Sequence, residues 1–215
     1  MTGILFDLDG TLLDTMEDLT DSVNYALGVF GYPPRTMDEV RSFVGNGAAR
    51  LLALSVPEGA DYVPVLAVFQ EYYRTHCQVK TGPYPGVKEA LAKLRQKYPV
   101  AIVSNKPDAA TKTLCADYFG DVFARGEAAD CPRKPAPDML FKAMAVLGVE
   151  KAIYVGDSEV DVCTARNAGM PCVSVTWGFR SEEALREAGA QYLCTDASQL
   201  PEIVERIEKE ETYVH

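Results

Sequence analysis

The sequence predicts a doubly wound α/β fold interrupted by a helical insert. Three observations point there. Short apolar runs recur along the chain and mostly lack polar alternation, as strands buried on both faces of a parallel sheet do. From residue 82 onward these runs alternate with helical patterns. Between about 15 and 80 the rhythm fails, and helical stretches follow one another without a convincing strand.

Taken in order, the first run is "ILFDLD" at 4 to 9. In a strand, residues two apart share a face, so Asp7 and Asp9 point the same way if the strand continues that far. Buried carboxylates need a cation, so the pair suggests a divalent metal at a strand end, whereas Asp9-Gly10 alone reads as a polar turn. The insert predicts helices near 16 to 30, 36 to 44, 47 to 55 and 61 to 77, separated by "GYPP", "GNG" and "PEGAD". "TGPYPG" at 81 to 86 has the composition of a hinge. Val87, Ala90, Leu91 and Leu94 then give a helical stripe, as do Met139, Leu140, Ala143, Met144 and Leu147. Strands are predicted at 100 to 105, 121 to 124, 152 to 157, 172 to 177 and 191 to 195. Gly148, Gly169 and Gly189 close helices, and "ERIEKEE" near the end reads as a solvated helix face.

With a net charge of -10, the chain lacks the basic footprint of a nucleic-acid binder. No apolar run approaches membrane-spanning length and no secretory signal opens the chain, so no membrane partner and a cytoplasmic location are expected. Cys77, Cys115, Cys131, Cys163, Cys172 and Cys194 form no C-x-x-C pair and read as reduced thiols. The histidines are His76 and His215, which makes histidine-based acid-base chemistry improbable; His76, on the aromatic-rich "FQEYYRTHC", reads as structural.

In an open parallel sheet, ligands bind beyond the carboxyl ends of the strands. Four clusters finish apolar runs there or lie nearby in sequence: Asp7 and Asp9; Ser104-Asn105-Lys106; Lys134 within "CPRKPAPD"; and "GDSEVD" with Asp157 and Asp161. Each alone has an ordinary explanation, since Ser104, Asn105 and Asp157 suit helix caps and Lys134 and Asp161 suit a surface. Converging on one rim, they suit phosphoryl transfer. Carboxylates suit Mg²⁺, donors hold phosphoryl oxygens, lysine offsets charge, and an aspartate can carry the phosphoryl group.

"FDLDGTLLDT", "VSN", Lys134 in "RKPAP" and "GDSEVD" occur in the order of four motifs and resemble the haloacid dehalogenase-like superfamily of phosphohydrolases. "NAG" at 167 to 169 and "YPGVKEAL" at 84 to 91 are similar too. The resemblance implies a Rossmann-like core, a central parallel sheet flanked by helices, built from residues 1–14 and 81–215. Residues 15–80 would form an inserted small α-helical cap domain. It implies that Asp7 attacks phosphorus, while Asp9 protonates the leaving alkoxide and then activates water. Ser104 and Asn105 would bind phosphoryl oxygens, and Lys134 would steady nucleophile and phosphate. Mg²⁺ would be held by Asp7, the Asp9 carbonyl and Asp157, with Asp161 orienting the site from behind.

The "FVGNGAARLL" loop at 43 to 52 and the size of the insert look most like the phosphoglycolate phosphatase group. Gly47 at a probable helix start and Arg50 one turn on could meet an anion; a glycine turn with a solvent-facing arginine fits equally. The implied reaction is Mg²⁺-dependent hydrolysis of a small phosphorylated metabolite by a monomer or homodimer. Inorganic pyrophosphatase, a β-phosphoglucomutase-like isomerase and a non-enzymatic phospho-accepting receiver domain are the alternatives. The receiver is disfavoured by Asp9 and the insert. A dehalogenase proper is disfavoured because it needs neither Asp9 nor Mg²⁺.

Overall fold

The computed structural model describes residues 1–213, so His215 lies outside the described residues. Among them, six strands form one all-parallel sheet. They are β1 (Thr2–Phe6), β4 (Val100–Pro107), β5 (Phe123–Glu127), β6 (Lys151–Gly156), β7 (Cys172–Val175) and β8 (Tyr192–Cys194). Their order is β5-β4-β1-β6-β7-β8. The chain leaves β1 for one side of the sheet and returns to β6 on the other. The order therefore reverses beside β1, where an open α/β sheet leaves a crevice for ligands.

Both faces of the sheet are covered, which explains the missing polar alternation. Ile4, Phe6, Ile102, Ile153 and Val155 pack on one side with residues of α5 (Val87–Leu94), α6 (Asp108–Phe119) and α10 (Leu200–Tyr213). Leu5, Ala101, Val103 and Tyr154 pack on the other with residues of α7 (Asp138–Leu147) and α8 (Glu159–Ala168). A further short helix, α9 (Glu182–Glu187), precedes β8. Gly148 and Gly169 close α7 and α8 in the left-handed conformation expected of such glycines.

The insert holds α1 (Met16–Val29), α2 (Met37–Phe43), α3 (Gly47–Ser55) and α4 (Val63–His76), within one or two residues of the predicted ranges. A capping box between Thr36 and Glu39 starts α2. Helix α1 packs against α2 and α4, and α3 reaches β4. Two short strands escaped the sequence reading. β2 (Leu13–Asp14) and β3 (Gly82–Pro83) pair antiparallel, so the chain leaves and re-enters the sheet side by side. Two-residue strands carry no periodicity to detect. The buried Asp18 carboxylate fixes this crossing by accepting from the amides of Lys80 and Thr81 at 3.0 and 2.8 Å.

Other boundaries shift modestly. The first strand ends at Phe6 rather than residue 9, because the chain coils there: the Leu8 carbonyl accepts from the amides of Leu12 and Leu13 at 2.9 and 3.0 Å. The strand expected at 121 to 124 sits at Phe123–Glu127, and β4 continues to Pro107. Among the described residues no helix is long and apolar enough to cross a membrane.

Candidate active site

The carboxyl ends of β1, β4 and β6 bring Asp7, Ser104, Asn105, Lys106 and Asp157 to one cavity, which Asp9 and Lys134 also line. Asp7 just outlasts the sheet: its amide still donates to the Val155 carbonyl at 2.8 Å. Gly10 makes the next turn possible. Its φ is +82°, and an added Cβ would sit 2.3 Å from Asp157 Oδ2.

Lys134 is the organising cation. Its buried ammonium meets Asp7 Oδ1 at 2.9 Å, Asp161 Oδ1 at 2.8 Å and the Tyr154 hydroxyl at 2.8 Å. Asp161 is wholly enclosed, far from the exposed face that was one expectation. Its Oδ1 also accepts from Tyr154, while its Oδ2 accepts from the Ser158 hydroxyl at 2.6 Å and the amides of Asp157 and Ser158. Burial works against that charge, but Lys134 and these donors outweigh it and hold the Asp161 carboxyl below its ordinary range.

Asp7 and Asp157 are less well compensated. Burial, then the Asp161 charge, pushes the Asp7 carboxyl well above the usual range despite Lys134. The same two causes raise Asp157 to about 7, against hydrogen bonds from the Phe179 amide at 2.8 Å and the Thr11 hydroxyl at 3.1 Å. Both donors to Asp7, Lys134 and the Leu8 amide at 2.7 Å, fall on Oδ1. Oδ2 has no hydrogen-bond donor among the described residues.

Asp9 faces a different cation. Its Oδ1 lies 2.7 Å from Lys106 Nζ, and its Oδ2 lies 3.4 Å from the Ser104 hydroxyl. The Lys106 ammonium also meets the Tyr73 hydroxyl of α4 at 2.5 Å. Asn105 lines the cavity, but its side-chain amide is used elsewhere. Its Nδ2 donates to the carbonyls of Gly45 and Lys134, and its Oδ1 accepts from the Lys134 amide. With both amide hydrogens committed, the side chain fixes the Lys134 loop and the insert's Gly45 instead.

From the insert, Gly47 lines the cavity at φ +79°, but Arg50 does not. Arg50 is exposed on α3, turned about 100° of helix from Leu51 and about 200° from Ala48, both of which line the cavity. His76 stacks on Tyr72 and its Nδ1 lies 2.9 Å from the Tyr72 carbonyl. Sequence reasoning missed three contributors. Tyr73 was hidden in the apolar stripe of an aromatic-rich helix. Phe179 and Arg180 follow β7, where the rule of strand ends, applied once more, would have found them. Arg180 pairs with Glu159 at 2.8 Å and donates to the carbonyls of Arg41 and Val44 at 2.8 and 2.6 Å. It thereby ties the insert to the loop after the sheet.

The donor set fits a hard divalent cation. Carboxylate oxygens of Asp7, Asp157 and Asp161 lie within 4.8 Å of one another, and two of these acids are raised by burial and by the Asp161 charge, which a bound cation would offset. Asp161 accepts five hydrogen bonds across its two oxygens, whereas Asp157 accepts one on each and Asp7 Oδ2 accepts none, so Asp7 and Asp157 retain the lone pairs that could hold an ion. This has a measurable sign. An acid with a raised folded pKa binds more protons in the native state, so its contribution to stability declines as pH rises from about 4, the unfolded value, to about 7. Asp161, with its lowered pKa, opposes unfolding above about pH 4 and loses that effect on the acid side. Melting in EDTA should therefore occur at lower temperature at pH 8 than at pH 5. Mg²⁺ should raise the midpoint more at pH 8. Equal Mg²⁺ increments at both pH values would contradict this charge balance.

Comparison with known proteins gives consistent relationships. The family model of haloacid dehalogenase-like hydrolases matches residues 4–175. A phosphoglycolate phosphatase of Rhodobacter capsulatus is 39% identical over 217 residues, covering 94% of this chain and 96% of that protein. One from Cereibacter sphaeroides is 36% identical, covering 84% and 87%. A solved structure of a candidate phosphoglycolate phosphatase from Lactobacillus delbrueckii subsp. bulgaricus is similar at a TM-score of 0.87 and 38% identity. It covers 93% of this chain and 96% of that one.

Proposed function

We infer the reaction of this protein from its kinship and its site: the chain belongs to the haloacid dehalogenase-like hydrolase family and is a phosphatase. We propose that it hydrolyses a small phosphomonoester, phosphoglycolate foremost, through a phosphoryl group carried by Asp7, with Mg²⁺ as cofactor. The observation that carries this reading is the asymmetry of Asp7. One oxygen is pinned by Lys134 and the Leu8 amide, and the other has no donor. A pinned carboxylate with one free oxygen is a preorganised nucleophile.

In the proposed cycle, Asp7 Oδ2 attacks phosphorus and the ester P–O bond breaks. The departing alkoxide takes a proton from Asp9. Lys106 already holds Asp9 Oδ1, so Oδ2 is the oxygen left to carry that proton. A water molecule then attacks the phosphoryl group on Asp7, giving its proton to Asp9, and inorganic phosphate leaves with Asp7 restored. Lys134, whose charge lies beside Asp7, and the Ser104 hydroxyl line the cavity where the phosphoryl group would sit. When bound by the Asp7 and Asp157 side chains and the Asp9 carbonyl, Mg²⁺ would offset phosphoryl charge and orient the group for in-line transfer. Asp161 fixes the site from behind by holding Lys134 and capping α8.

Residues 15–80 are proposed to act as a cap. Leu19, Val44, Gly47, Leu51 and Phe69 complete the cavity wall, and closing it would exclude water from the phosphoryl group. The test is phosphate release with Mg²⁺ from phosphoglycolate, pyrophosphate and β-glucose 1-phosphate. The highest kcat/KM is expected for phosphoglycolate, with loss of turnover in EDTA. Glucose 6-phosphate as product would identify a mutase and overturn the hydrolase reading, as would preferential hydrolysis of pyrophosphate.

A further inference from the structure

Three cations line the cavity, and their donors can be counted. An ammonium has three N–H groups and a guanidinium five. All three of Lys134 are engaged, by Asp7, Asp161 and Tyr154. Arg180 engages four of its five, on Glu159 and on the carbonyls of Arg41 and Val44, and its side chain is 14% exposed, so solvent can reach the fifth. Lys106 differs. It bonds Asp9 Oδ1 and the Tyr73 hydroxyl, and its third N–H has no acceptor among the described residues, although its side chain is only 3% exposed.

A buried ammonium donor without an acceptor is costly, and the shortage is cured by an incoming anionic oxygen. The position of Lys106 says which oxygen. Lys134 stands beside the nucleophile Asp7, on the phosphoryl side. Lys106 stands beside Asp9, the residue proposed to touch the ester oxygen, and is therefore on the leaving-group side. Beyond it the wall is largely apolar, with Leu19, Leu51 and Phe69 offering nothing to a hydroxyl-rich sugar. The anion must also be close to the ester oxygen, because Asp9 and Lys106 touch each other.

We propose that Lys106 is a specificity-determining residue that binds a carboxylate on a short leaving group, held in place by Tyr73 from the insert. The substrates selected are phosphomonoesters whose alcohol bears a carboxylate near the ester oxygen. Tyr73 acts as a positioning residue: it fixes the ammonium from α4, so selection is complete only when the insert is seated on the sheet. This inference rests on the roles proposed above for Asp7 and Asp9.

The test compares 2-phosphoglycolate with 2-hydroxyethyl phosphate, which replaces the carboxylate by an uncharged hydroxymethyl group. The wild-type enzyme should favour phosphoglycolate in kcat/KM by about 30-fold or more, the range of a desolvated charge pair. Lys106→Gln should collapse this ratio toward one, mainly through a higher KM for phosphoglycolate. Tyr73→Phe should lower the ratio less, again through KM. A wild-type ratio near one overturns the inference without any variant, as does a ratio kept intact in folded Lys106→Gln. If the wild type hydrolyses neither ester nor p-nitrophenyl phosphate with Mg²⁺, the hydrolase reading itself fails and this inference falls with it.

Discussion

Replacing Asp7 by asparagine is expected to abolish turnover, with phosphate release from phosphoglycolate and p-nitrophenyl phosphate falling by several orders of magnitude. The reason is chemical. An amide oxygen is far too weak a nucleophile to form the phosphoryl-enzyme, and no other carboxylate occupies the same place: Asp161 is saturated by donors, and Asp157 is held by the Phe179 amide and Thr11. The fold should survive. Asparagine is nearly isosteric, and its Oδ1 still accepts from the Leu8 amide and Lys134. In EDTA at pH 8 the variant should melt no lower than the parent, because burial and the Asp161 charge already disfavour an ionised Asp7. Retained activity above about one part in a hundred would sink the nucleophile assignment, since removing a covalent nucleophile costs far more.

Much of this site was legible because several of its residues lie at or near the carboxyl ends of strands. Asp7, Ser104 and Asp157 follow apolar runs, and the parallel topology places all such ends on one rim. The charge logic was legible too, as buried acids demand a cation. What the sequence concealed were the distances between elements remote in the chain. Asn105 was placed at the site by its motif, but the partners of its side chain, backbone groups of residues 45 and 134, could not be read from the chain. Arg50 was judged by its spacing from Gly47 alone, yet helix phase relative to Ala48 and Leu51 decides which way it faces. Tyr73 is the clearest case. At i+4 from Phe69 it belongs to an ordinary buried stripe, and only the docking of α4 on the sheet brings its hydroxyl to Lys106. The short β2–β3 ribbon was missed for want of length.

Lys134→Met should be the most destabilising single change at the site. Methionine nearly preserves side-chain volume, so the cavity cost of an alanine is avoided and the effect isolates charge. Removing the ammonium leaves Asp7 and Asp161 facing one another without a cation, and takes a donor-acceptor partner from Tyr154. Breaking a buried pair in this way costs about 3–5 kcal/mol. In urea titrations without metal, a loss of that size is expected at pH 8. It should be smaller at pH 5, because losing Lys134 raises the carboxyl pKa values further and protonation then substitutes for the missing charge. Mg²⁺ should recover part of the stability through Asp7 and Asp157 but not the activity, since the phosphoryl group still lacks its lysine. A second substitution, Asp161→Asn, separates this account from simple misfit. If repulsion is the cause, the double variant should be less destabilised than the sum of the two single changes, with a coupling of at least about 1 kcal/mol. Strict additivity would mean that the methionine packs badly and that the carboxylates do not depend on Lys134 for their ionised state.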